Sequence, residues 1–325
     1  MKTNIIMKAL VGFFVGSCVA MSASAAEYPS KPISIVAVWP AGGAHDTAGR
    51  LIANYLSKSA DVPVVVKNVT GAGGSTGMRH IEKANKDGYT IGIMGMHAIS
   101  ASFMNPNAPS LNNIDTVAYI GPDPGALQVS NTSGIQSLDD YLDKLKKKPG
   151  SIVNGNDGLG GNSFVFAALL EKQLGVKMTR IPYAGHAPNV AALLSDEVMS
   201  TTLPVPQLSE QTLAGQVKTL GVMSDKRHHL LPDVPTFKEQ GYDLVLGDFY
   251  MLVAPKGIPE KVSAKLEGLV LDVLNDKEFQ AQARKVGIIV DPKGRLATRS
   301  VLDETTNDIY PLLKEGGLVK VERKD

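Results

Sequence analysis

One cysteine, Cys18, is all that the 325-residue chain contains, and it sits inside the apolar stretch Ala9–Val19. Lys2 and Lys8 precede that stretch and the small residues of "SASAAE" follow it, the pattern of a secretory signal peptide cut near Ala26. A second reading takes "VGSC" (15–18) as a lipoprotein cleavage site. It leaves only a short apolar core, and release at Ala25/Ala26 is preferred. The cysteine then departs with the leader, which excludes disulfides, a thiolate nucleophile and cysteine metal ligands from the mature chain. Charge of one sign is missing too: 33 basic residues face 32 acidic ones, and the leader takes away two lysines and no acid. Such a balance argues against nucleic acid or an anionic membrane surface as partner. The leader's apolar stretch is too short for an ordinary spanning helix, and no second long one follows. A soluble, monomeric exported protein is expected.

The residues that are present alternate in pattern. "ISIVAVW" (33–39) reads as a buried strand, and Asp46–Ser59 as a helix with Leu51, Ile52, Tyr55 and Leu56 on one face. "VPVVVKNV" (62–69) is a second strand, followed by "TGAGGSTG", a helix to about Lys83, and a third strand in "DGYTIGIMG" (87–95). This order predicts a parallel sheet covered by helices, with ligand loops at the carboxyl ends of the strands. A second unit repeats the theme: helix 137–150, strand 151–155, glycine loop "NDGLGGNS", helix Phe164–Leu174, strand and loop 177–185, helix 189–196 and strand 197–204. A late strand in "FYMLVAPKGIP" (249–259) ends at Pro255, and helices dominate from Lys261 to Leu313. The predicted lobes are 27–128, 129–247 and a return over 248–325, with ordered strands crossing between them near 119–129 and 247–253.

Four joints place glycine or small polar residues where a strand pattern meets a helix pattern: 41–47, 70–77, 155–163 and 183–188. Glycine lets the backbone approach a ligand, and the first amides of a helix point outward unpaired. A carboxylate or phosphate placed there meets several N–H donors and the favourable end of the helix dipole. Any one such joint is more often a plain turn; four together point to a ligand cleft. Asp46 and Thr47 are read as caps of the first helix.

Catalytic alternatives fit less well. "GAGGSTG" (71–77) departs from dinucleotide-loop spacing, and no acidic residue closes the next strand. It is formally G-x-S-x-G, but Asn68–Gly74 intervene between the branched run and Ser75, whereas a hydrolase elbow needs its serine directly after the strand. The six histidines are scattered, without H-E-x-x-H, and read as surface or cap residues rather than metal ligands. His45 is the exception, since its loop is a candidate pocket wall. Trp39 and Phe249 either wall an organic ligand or pack in the core. Asp248 between them is a carboxylate in need of water, a cation or donors. No cofactor is expected.

Six segments in order, "YPSKPISIVAVWPAGGAHDTAGR", "VPVVVKNVTGAGGSTGMRHIEKANKDGYTIGI", "KKKPGSIVNGNDGLGGNSFVFAALLEKQLGV", "RIPYAGHAPNVAALLSDEV", "RHHLLPDVPTFKEQGYD" and "FYMLVAPKGIPEKV", resemble the periplasmic solute receptors of tripartite tricarboxylate transporters, the Bug receptors. The resemblance covers essentially the whole mature chain. It implies a two-lobed α/β fold of the type II periplasmic-binding-protein kind, closing on a small organic carboxylate. It also implies delivery to a permease with large and small membrane subunits. By this resemblance the loops 41–47, with Gly42, Gly43, His45, Asp46 and Thr47, and 71–77, with Gly74, Ser75 and Thr76, hold a carboxylate, and Trp39 stands just before the first of them. Asn156, Gly160, Asn162, Ser163, Tyr183, Ala184 and Gly185 close from the other lobe, with Asp248 and Phe249 at the hinge. Three departures stand out. Phe164 occupies a place where many relatives have histidine, His45 one that is often small, threonine or tryptophan, and Asp248 one that is small or hydroxylic. Asp248 suggests an extra hydroxyl or amino group on the ligand. The rival readings are a sensor passing its closed shape to a signalling partner and, more remotely, a hydrolase using Ser75.

Overall fold

The computed structural model describes residues 27–323, so the predicted leader, 1–26, lies outside the described residues. In chain order the elements are β1 (Ile33–Ala37), α1 (Ala44–Ala60), β2 (Val64–Asn68), α2 (Ser75–Glu82), β3 (Thr90–Met94), α3 (Met96–Met104), β4 (Ile114–Pro124) and β5 (Ala126–Ser130). There follow α4 (Leu138–Lys147), β6 (Val153–Asp157), α5 (Asn162–Leu174), β7 (Thr179–Tyr183), α6 (His186–Leu194), β8 (Ser200–Thr201), α7 (Ser209–Leu213) and β9 (Val217–Val222). The chain then runs through β10 (Gly247–Pro255), α8 (Glu260–Asn275), α9 (Lys277–Lys285), β11 (Lys293–Gly294) and α10 (Arg295–Glu315).

Two sheets result, ordered β11-β4-β10-β3-β1-β2 and β7-β6-β8-β5-β9. β1 pairs in parallel with β2 and β3, while β10 runs antiparallel between β3 and β4. In the second sheet β6 is parallel to β7 and β8, and β5 is antiparallel to β8 and β9. Each sheet carries helices, giving two α/β lobes. The chain leaves the first sheet at Pro124 and enters the second at Ala126; Gly125 between them donates its amide to the Leu246 carbonyl, next to the start of the returning β10.

Strand alternation decides which face each side chain covers. On β10, Tyr250, Leu252 and Ala254 join the cluster formed with α1, α8 and α9, whereas Phe249, Met251 and Val253 join the cluster on the opposite face. Such burial stabilises by about 1.5–3 kcal/mol for each large aliphatic or aromatic side chain. Two expectations need correction. The strand foreseen over 197–204 pairs only at Ser200 and Thr201, and the helix foreseen from Asn189 starts at His186. α3 was not foreseen: eight of its nine residues are buried, so no polar face marks it in the sequence.

Candidate functional site

Helices α1, α3, α5 and α6 all begin after a glycine, Gly43, Gly95, Gly161 and Gly185, and none has a side-chain cap. Helices α4 and α9 are capped conventionally by Ser137 and Asp276, while α8 and α10 also lack a side-chain cap, at Pro259 and Gly294. The opening amides of a helix have no partner within it, so an uncapped start matters where it faces a cavity. The starts of α1 and α6, from opposite lobes, face one another across a cavity of about 10 Å³ lined by Trp39, Pro40, Gly43, Ala44, His45, His186 and Ala187. That space holds about one water. An organic molecule enters only if the lobes part. Glycine makes this closeness possible: a Cβ on Gly185 would lie 3.1 Å from Pro40 Cδ, and one on Gly73 would lie 2.3 Å from the Leu159 carbonyl oxygen of the other lobe. Both glycines have positive φ, 139° and 64°.

A chain of polar contacts crosses beside this cavity. His186 Nε2 lies 2.9 Å from Asn162 Oδ1, and Asn162 Nδ2 donates to Asp248 Oδ2 at 2.5 Å. Asp248 Oδ1 accepts from the amides of Met96, the first residue of α3, at 2.6 Å and Phe249 at 2.8 Å. Ser100 Oγ of α3 also donates across, to the Gly160 carbonyl at 2.6 Å. His45 Nε2 stands 3.6 Å from Asp248 Oδ2, and the His45 ring packs edge-on to His97 at 5.0 Å and to Tyr250 at 5.3 Å. Trp39 meets His97 edge-on at 5.5 Å. Burial lowers the basicity of both His45 and His97, so both imidazoles are neutral at pH 7. Burial also opposes charge on His186, but Asp157, 3.5 Å away, together with the Asp123 and Asp248 carboxylates outweighs it and raises that pKa. Asp123, paired across the strands with Asp248, is pushed up to about 7, first by burial and then by that neighbouring carboxylate.

The sequence reading treated the histidines as scattered surface or cap residues. The structure overturns this for His97 and His186, which are buried with His45 in the cleft, and for His228, which is 2% exposed outside it. Asp46 is not the N-cap of α1, and neither is Thr47; Gly43 holds that place. The Asp46 carboxylate reaches back from the third helical position to the Gly42 amide at 3.0 Å and also accepts from Arg50 and Asn68. Burial works against its charge, but Arg50, Gly42 and Asn68 together hold its pKa below the ordinary value. Its lone pairs are spent on lobe structure. Thr47 contributes an in-helix amide to the Gly43 carbonyl.

Gly74 lies against His97 and Trp39. Ser75 and Thr76 instead line an open groove of about 650 Å³ along α2 with Arg79, His80 and Lys83, and Ser75 Oγ accepts from Asn105 Nδ2 at 3.0 Å. From the second lobe, Asn162 joins the polar chain, and Gly160 packs over Ala101. Ser163 is absorbed by Asp157, donating its amide to the carboxylate and accepting the Asp157 amide at its hydroxyl. Asn156 bonds to Asn154 and leaves its Oδ1 buried without a partner. Tyr183 sends its hydroxyl to Glu197 at 2.8 Å, while Ala184 and Gly185 form the turn into α6. Phe249 turns to the opposite sheet face, 5.8 Å from the Tyr119 ring, and packs in the core. Phe164 stacks under Arg180 at 4.5 Å.

Residues 48–318 match the family described as the tripartite tricarboxylate transporter family receptor. Protein BugT of Bordetella pertussis is 30% identical over 276 residues, 83% of this chain and 84% of that one. The solved periplasmic binding protein BugD superposes with a TM-score of 0.85 at 28% identity, covering 90% of this chain and 99% of BugD. The Rhodopseudomonas palustris protein Rpa4515, solved with adipate, shares the fold with a TM-score of 0.86 at 22% identity, covering 90% of this chain and 99% of its own.

Proposed function

The chain belongs to the tripartite tricarboxylate transporter receptor family and is a periplasmic solute-binding protein, not an enzyme, that serves a membrane transporter of that type; on that premise we propose that its solute is a small organic carboxylate held between the lobes. The observation that carries this is the convergence of the uncapped starts of α1 and α6 on one cavity from opposite lobes. Two helix N-termini offer unpaired amides and favourable dipole ends to an anion, and a buried carboxylate needs such donors. In this reading Gly43, Ala44 and His45 receive the anion from one side, and Gly185, His186 and Ala187 close on it from the other. Asn162 and Gly160 lock the lobes through Asp248 and Ser100. Closure draws only on contacts that exist in the closed form, such as these two hydrogen bonds. The large and small permease subunits then receive the solute as the lobes part.

Native mass spectrometry of gently purified protein tests the proposal, followed by calorimetric titration with mono-, di- and tricarboxylic acids. A retained organic acid, or saturable one-to-one binding of one of them, is expected. Binding only of uncharged solutes would overturn the carboxylate assignment.

A further inference from the structure

Carboxylate capture leaves a set of buried donors unexplained. His45 Nε2 and both ring nitrogens of His97 are buried without a hydrogen-bond partner, on side chains that are 1% and 0% exposed. A neutral imidazole has one N–H to give and one lone pair to fill, and leaving them unmet in the interior costs free energy. The nearest charged group is Asp248, and one donor atom each from His45, His97 and Asp248 lies within 4.8 Å of the others. No lysine or arginine contacts this carboxylate among the described residues; Asn162 and two backbone amides do.

We propose that His45, His97 and Asp248 form a site for a divalent transition-metal ion of the zinc class. Two neutral imidazole nitrogens and one carboxylate oxygen are a donor set suited to such ions rather than to magnesium or calcium, which take oxygen shells. The spacing fits. Donors about 2.1 Å from a tetrahedral zinc stand about 3.4 Å apart, and His45 Nε2 is 3.6 Å from Asp248 Oδ2. The widest pair, up to 4.8 Å apart, needs about 0.7 Å of movement from each donor. Gly95 leaves the room: a Cβ there would sit 2.2 Å from Asp248 Oδ1 and 2.7 Å from His45 Nε2. Asp248 is fixed by the Met96 and Phe249 amides, the kind of outer support that orients a metal ligand.

All three donors come from α1, α3 and β10 of one lobe, so the site persists when the lobes part. Three protein ligands leave a zinc-class ion at least one open position, and His45 also lines the cavity assigned to the solute. For that fourth ligand alone the inference rests on the carboxylate reading, with a solute oxygen completing the coordination.

The test titrates Zn²⁺ alone into chelator-stripped protein by calorimetry, beside the variants His45→Gln, His97→Gln and the control His229→Gln. One equivalent is expected in wild type and in the control. Binding should weaken at least tenfold in each of the other two, since even outer-shell losses cost ten- to a hundredfold. Zinc K-edge absorption of the wild-type complex, which does not depend on any variant folding, should show two imidazoles. No zinc binding, zinc lost only in His229→Gln, or a spectrum without imidazole would overturn the site. Acid titration into stripped and zinc-loaded protein separates the two readings. Carboxylate binding to a protein that takes up no zinc keeps the receptor reading and sinks the metal. Selective binding of amino acids without zinc would give Asp248 to a solute ammonium instead.

Discussion

Replacing Asp123 by asparagine should make the protein more stable above neutral pH and leave it little changed near pH 4. Asp123 is 1% exposed on β4, opposite Asp248 on β10. Its carboxyl is pushed from an ordinary 3.8 up to about 7 by burial, with the Asp248 charge adding to the effect. A group with a raised folded pKa holds its proton more tightly when folded. Its contribution is fully present below the unfolded value and is lost as pH rises from about 4 through 7. A shift of that size corresponds to an upper bound of roughly 4 kcal/mol between the two ends of the window. Asparagine keeps the shape without the charge, and the neighbouring Tyr250 phenol can donate to its amide oxygen. Thermal melts of both proteins at pH 4, 6 and 8 give the difference directly. The Tm of Asp123→Asn minus that of wild type should grow with pH, reaching a few degrees at pH 8. Parallel pH profiles would refute the reasoning, because they would mean that Asp123 titrates as an exposed carboxylate does.

Three further changes probe the lobes. Gly73→Ala places a methyl 2.3 Å from the Leu159 carbonyl oxygen only when the lobes are closed; calorimetry should show solute affinity falling at least tenfold, while chemical denaturation reports only the about 1 kcal/mol of a left-handed alanine. Asn162→Ala removes the cross-lobe hydrogen bond to the Asp248 carboxylate, a charged-group bond of about 1.5–3 kcal/mol, so affinity should drop roughly ten- to a hundredfold. Asp46→Ala deprives Gly42, Arg50 and Asn68 of their acceptor and should cost about 1–3 kcal/mol in stability, with weaker capture as a consequence. If affinity falls in that variant with stability intact, Asp46 touches the solute directly.

Much of the first lobe was legible because its strands and helices carry strong period signals. "ISIVA" and the Leu51, Ile52, Tyr55, Leu56 face of α1 are local patterns, and so are the glycines that start α1 and α6. The site itself was less so. His97 lies on α3, a helix buried on nearly every side, opened by Gly95 without a side-chain cap. The first amide of that helix is met by Asp248, 152 residues away, so no short-range pattern announces it. His186 looked like one more loop histidine, although it starts α6 and reaches Asn162 across 24 residues. The sequence leaves Phe249 open between a ligand wall and the core, and strand geometry decides it. Adjacent to Asp248 in sequence, it must face the other side of the sheet because strand side chains alternate.

A crystal structure of the protein bound to the acid it retains or binds tightest tests the central claim most directly. The account predicts that the carboxylate lies between the start of α1 at Gly43–His45 and the start of α6 at Gly185–Ala187, touching both lobes at once. An acid confined to one lobe, or seated in the groove along α2 beside Ser75 and Arg79, would contradict it.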